Sequence, residues 1–166
     1  MPARALLAWN ASCTSPNVMK RPLARLLDGA LAGVVATAAM SVFMLGAKRV
    51  GALGEPPPRR LTRRLLSHLG PLAPRGRQLD AAALANHFAF GSSMGAVFGL
   101  ALRRPTPLRG LLFGLGVWTV MYTKALPRLG LMPPAHRDRP GRPSAMVAAH
   151  LVYGATLAAC QRRLTG

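Results

Sequence analysis

Apolar and polar positions in this chain fall into long blocks, without the alternation of a strand or the one polar face of a soluble helix. Four runs stand out, at 29–47, 81–102, 111–126 and 144–160. Each approaches the roughly 20 apolar residues a helix needs to cross about 30 Å of hydrocarbon. The first closes on Lys48 and Arg49, the second on Arg103 and Arg104, and the fourth on Gln161, Arg162 and Arg163. The third holds Lys124 near its end, from where a long side chain reaches the interface. A soluble bundle would show charges recurring at helical spacing, and these runs show none. The stretches 54–60 (GEPPPRR), 103–110 (RRPTPLRG) and 133–143 (PPAHRDRPGRP) read as aqueous loops, because irregular backbone in hydrocarbon leaves polar groups unpaired. The pattern predicts an all-α fold, an integral membrane four-helix bundle.

Two segments admit two readings each. From Met19, MKRPLARLLDGALAGVVATAAM has the form of a cleaved signal peptide, yet the apolar run continues for 19 residues to Ala47 and a basic pair, which fits an anchor. Met19-Lys20-Arg21 is a natural start, so residues 1–18 are expected to be an unfolded extension of a four-span domain at 19–166. Between the first two runs, Leu61, Leu65, Leu66 and Leu69 fall on one side of a helix and Arg59, Arg60, Arg63 and Arg64 around the other. That fits an interfacial helix on anionic lipid headgroups, and equally a solvated basic loop.

Charge sharpens this picture. Of 166 residues, 22 are Lys or Arg and four are Asp or Glu, a net +18 that alone would point to nucleic acid. The basic residues crowd instead at the ends of apolar runs, as membrane flanks do, and nucleic acid is excluded as the expected partner. The first and third loops carry 13 of them, counting Lys124, and the two termini and second loop carry nine. That is a slight bias toward cytoplasmic first and third loops. Cys13 and Cys160 are too few for a disulfide framework, and Cys160 reads as a packing residue.

An internal repeat is visible at an offset of 63 residues, where HFAFGSSMGA (87–96) lies over HLVYGATLAA (150–159). Arg49, Gly51 and Pro56 correspond more loosely to Arg128, Gly130 and Pro133. The unit would be a transmembrane hairpin used twice, with His87 and His150 at one depth. Small residues recur at every fourth position: Gly91, Gly95 and Gly99 after His87, Gly154 and Ala158 after His150, and Gly29, Gly33, Thr37 and Ser41 in the first run. Such faces let helix backbones approach closely and are expected to form the bundle interior.

Polar groups inside the runs are few, and Asn86, His87, Ser92, Ser93, Lys124 and His150 stand out. Ionisable residues at membrane depth are costly and therefore candidates for function. His87 and His150 could ligate a haem iron from both sides of a flat macrocycle, or could each serve helix packing through a hydrogen bond. No third ligand supports zinc. Asp28, Glu55, Asp80 and Asp138 all fall at run ends or in loops, which disfavours proton- or cation-coupled transport. Gly91-Ser92-Ser93-Met94-Gly95 spells a nucleophile-elbow motif and His136-Arg137-Asp138 the start of a kinase catalytic loop, but neither has its structural context.

The motifs HFAFGSSMGAVFG, GLLFGLGVW followed by GLMPP, and AAHLVYGATL resemble small bacterial inner-membrane proteins of the YagU-like class, over residues 25–162. The resemblance implies a multi-pass protein of the bacterial plasma membrane and carries no activity, cofactor or catalytic residue with it. The expectation is a non-enzymatic structural or accessory membrane component that needs no cofactor. A bis-His haem protein for electron transfer and a small homo-oligomeric transport unit are the alternatives.

Overall fold

The computed structural model describes residues 16–53, 57–133 and 137–165, and among them no strand occurs. Helix α1 spans Pro16–Arg49, α2 Pro57–Leu66, α3 Gly76–Ala101, α4 Pro107–Trp118 and α5 Arg142–Thr165. A 3₁₀ segment, Ser67–Leu72, follows α2. Helix α4 runs on through a π-helical stretch, Thr119–Ala125, into a last turn, Leu126–Arg128. Thus α1 begins three residues before Met19, and residues 16–18, expected in the extension, belong to the helix; residues 1–15 lie outside the described ones. The basic segment after the first run is helix, not irregular loop.

Helix ends follow local chemistry. Pro107 opens α4 at its first turn and the Thr106 hydroxyl accepts from the Arg109 backbone N–H. Helix α1 and the last turn of α4 stop in the same way, at a glycine with φ of 77° (Gly51) and 66° (Gly130). In the first stop the N–H groups of Ala52 and Leu53 return to the Ala47 carbonyl, and in the second those of Leu131 and Met132 return to Leu126.

Helix α1 from Pro22, with mean hydropathy 2.0, and α5, with 1.3, are long and apolar enough to cross a membrane, yet only 33% of each such stretch is buried. Helix α3 is diluted by Asn86, His87, Ser92 and Ser93, and α4 is cut short as a regular helix by its π stretch. Large apolar side chains face outward on α1, α3 and α4, among them Leu31, Val35, Val42, Leu84, Val97, Leu108 and Leu112. Small or unbranched ones face inward: Ala32, Ala36, Met40, Met44, Ala149 and Ala158.

Backbone packing runs in the order α3, α1, α5, α4. Two seams of glycine hold it together. A Cβ built on Gly33 would stand 2.6 Å from the Gly91 carbonyl oxygen, and one on Gly95 would stand 2.6 Å from Gly33 Cα. Gly29 and Gly99 continue this α1–α3 seam. Between α4 and α5, a Cβ on Gly110 would stand 2.6 Å from the Ala158 side chain, and Gly114 and Gly154 press on the backbone of the facing helix. The row curls so that α3 and α4 meet through Phe98 and Phe113, with ring centroids 5.1 Å apart. Gly95→Ala and Gly154→Ala are each expected to cost about 1–3 kcal/mol by overpacking, read as a lower unfolding temperature in detergent. Gly46→Ala, with nothing within 4 Å of its added carbon, should leave it unchanged.

Candidate functional site: a methionine-rich cavity bearing two histidines

On the far side of the Phe98–Phe113 contact the helices diverge around a cavity of about 290 Å³. Its floor is the second half of α1 (Thr37, Met40, Met44) and the first half of α5 (Met146, His150, Tyr153). One wall comes from α3 (His87, Phe90, Gly91, Met94), the other from the end of α4 and its π stretch (Val117, Met121, Tyr122, Leu126). Helix α2 lies over it with Leu61 and Leu65 in the lining and Thr62 buried. It is strapped at both sides, by Arg59 to Asp80 of α3 (2.5 Å) and by Arg64 Nη1 donating to the Gly130 carbonyl (2.6 Å). The leucine face expected to meet lipid thus covers the cavity in part, though Leu65 and Leu69 are half exposed.

The six methionines of the lining are unbranched and polarisable, a surface that adapts to the shape of an occupant. No Asp, Glu, Lys or Arg lines the cavity among the described residues. Most polar atoms in its walls are spoken for. Tyr153 donates to the Gly91 carbonyl (2.7 Å), tying α5 to α3 across α1. Thr37 donates to Gly33 (2.7 Å), and Tyr122 donates to the Asp138 carboxylate. His150 Nδ1 bonds the Met146 carbonyl at 2.7 Å, while His87 Nε2 is buried without a hydrogen-bond partner.

The structure therefore brings His87 and His150 to one cavity. The glycines Gly29, Gly33, Gly91, Gly95, Gly99 and Gly154 lie in the seams, with Gly91 also at the cavity wall. Lys124 and Asn86 are exposed. Ser93 is exposed and donates back to the Ala89 carbonyl of its own helix (2.8 Å), so the elbow motif has no nucleophile facing a histidine. His136 lies outside the described residues. Among the described residues no three of His, Cys, Asp and Glu converge. A haem would find two imidazoles here, but its two carboxylates would meet no cationic side chain of the lining among the described residues.

Sequence reasoning missed three features. The Met40/Met44 pair reads as generic apolar sequence, although its spacing of four puts both on one helix face. Tyr122 reaches the cavity from the π stretch, a distortion that often marks functional positions. Its only signal is Pro127, which cannot donate to the carbonyl four residues back. The third is a buried ion pair, Asp138 with Arg142 (2.9 Å), whose side chains are 3% and 6% exposed and whose carboxylate also accepts from the Arg139 N–H (2.7 Å). No family model, curated protein or solved structure matches the chain.

Asp138→Ala strands the Arg142 guanidinium in a buried site and is expected to cost about 3–5 kcal/mol in detergent unfolding. Tyr122→Phe removes one hydrogen bond to the same carboxylate and should cost about 1 kcal/mol. Equal, negligible effects of the two would mean that this network does not hold the third loop.

Proposed function

We propose that this chain is a four-span integral membrane protein that works as a structural or accessory component, by packing and binding rather than by chemistry of its own. The observation that carries the reading is the reversed size pattern of its helices. Leucine and valine make up most of the exposed large side chains, and glycine, alanine and methionine most of the interior, where Phe98, Tyr153 and Leu157 are among the large exceptions. A soluble protein could not leave Leu31 and Val42 of α1 and Leu108 and Leu112 of α4 between 58% and 69% exposed at little cost. In hydrocarbon that surface costs nothing, and close backbone approach becomes the main attraction between helices. Hydroxyls of Thr37, Ser41, Ser93, Thr119 and Thr123 each return to the carbonyl four residues back, which satisfies them within one span.

The two hairpins, α1–α3 and α4–α5, are on this reading one unit used twice. Gly33 faces Gly91 and Gly95, and Gly110 faces Gly154 and Ala158, the same positions 63 residues on. The matched glycine stops at Gly51 and Gly130 lie 79 residues apart, whereas Gly33 and Gly110 lie 77 apart. Helix α4 thus carries two more residues than α1 between seam and stop, and the π stretch falls within that interval. A wider helix takes up inserted residues without losing the register of either end. Placement in a bacterial plasma membrane and membership of the YagU-like class rest on the motifs of α3, α4 and α5. The apolar lining of the cavity speaks for a bound molecule and against an ion path, which needs polar groups along its length.

Single-cysteine labelling in oriented membranes, on a background with Cys13 and Cys160 replaced by serine, tests the topology. Val50→Cys and Arg139→Cys should react from one side, and Arg104→Cys and Thr165→Cys from the other. Reaction of Arg104→Cys on the same side as Val50→Cys would mean that α3 and α4 do not cross and that only α1 and α5 do.

A further inference from the structure

Besides Asn86, which is exposed, two polar side chains of the cavity wall have unpaired nitrogens. His87 Nε2 is buried with no hydrogen bond, and His150 spends only Nδ1, on the Met146 carbonyl. A carbonyl oxygen can only accept, so the proton of the uncharged His150 ring sits on Nδ1 and its Nε2 is a bare acceptor. That nitrogen needs a donor, and the neighbouring hydroxyls cannot supply one: Tyr153, Tyr122 and Thr37 already donate elsewhere. His87 makes no hydrogen bond, and its ring can donate as well as accept. The cavity therefore asks for a compact molecule with a hydroxyl on one edge and a second oxygen on another.

The rest of the lining narrows the class. With no charged side chain in the wall among the described residues, a phosphate, carboxylate or ammonium headgroup would be desolvated without a counter-charge. Methionine thioethers on every side make favourable contacts with aromatic rings, and about 290 Å³ sits at the small end of ligand pockets. Helices α3 and α4 do not pack against each other along this half, and the exposed side chains of Leu65, Phe90 and Leu129 rim the opening. A tail attached to the ring has a sideways exit there.

We propose that this cavity binds a neutral aromatic amphiphile of the hydroquinone class. One hydroxyl donates to His150 Nε2, the other oxygen is hydrogen-bonded by His87, and the apolar tail leaves between α3 and α4. The placement of the tail in lipid rests on the four-span reading; the seating of the ring does not, and it is measured in detergent.

The experiment is an anaerobic calorimetric titration of the full chain in detergent with a short-chain alkyl hydroquinone and, separately, with its quinone. The two share a skeleton, but only the hydroquinone can donate to His150. It should bind about tenfold more tightly, the worth of one hydrogen bond left unmade. His150→Phe, which keeps a ring in place but cannot accept, should erase the preference, and Met121→Trp, which fills the cavity, should abolish binding of both. Failure of the wild-type chain to bind the hydroquinone, equal affinity for the two forms, or a preference that survives in His150→Phe would overturn the proposal. So would a Soret band in protein from haem-supplemented cells that disappears in both His87→Ala and His150→Ala, since the occupant would then be haem.

Discussion

Direct contact between helix backbones is the constraint on which the rest of this structure depends. When the surroundings are as apolar as the side chains, hydrophobicity gives a helix no reason to prefer protein over lipid, and dispersion and polar contacts at close range must hold the bundle. Glycine at every fourth position is what allows that range. The seams lie at one end of the molecule, around Gly29, Gly33, Gly95 and Gly99 on one side and Gly110 and Gly154 on the other. Toward the other end α1 continues as Thr37, Met40 and Met44, α3 presents His87 where the seam would need a small residue, and α5 presents Met146 and His150. The cavity is what remains where the small residues stop and bulky ones hold the helices apart.

The loops at that end are tied to the elements that line it. Asp138, held by Arg142 and Tyr122, fixes the third loop against the π stretch. Gly130 in the same region anchors α2 through Arg64, and Asp80 anchors it through Arg59. Two basic residues of α2, Arg59 and Arg64, thus position that helix over the cavity.

The four long helices were legible because unbroken apolar runs bounded by arginine have few other solutions, and the seams were legible because a spacing of four places residues on one helix face. Boundaries were less so. Helix α5 continues to Thr165 through Arg162 and Arg163, since charge ends a span but not a helix. The order of packing was hidden, because which helix lies beside which depends on contacts far apart in sequence, such as Tyr153 on Gly91. The repeat misled in one respect: Phe90 and Tyr153 occupy matched positions, yet Phe90 is exposed at the cavity rim and Tyr153 is buried and hydrogen-bonded. Position in a repeat fixes the backbone, and the neighbour fixes the environment. The polar network of Asp138 could not be foreseen, since its partners meet only once the third loop is folded.

The central claim, that backbone-to-backbone seams hold a bilayer-embedded bundle, is most directly tested by solid-state nuclear magnetic resonance of glycine-selectively ¹³C-labelled protein in lipid bilayers. Direct through-space cross-peaks between the Cα atoms of Gly33 and Gly95, lost in Gly33→Ala, are the predicted result. Glycine signals with no interhelical cross-peaks, in a protein that remains helical and inserted, would contradict it.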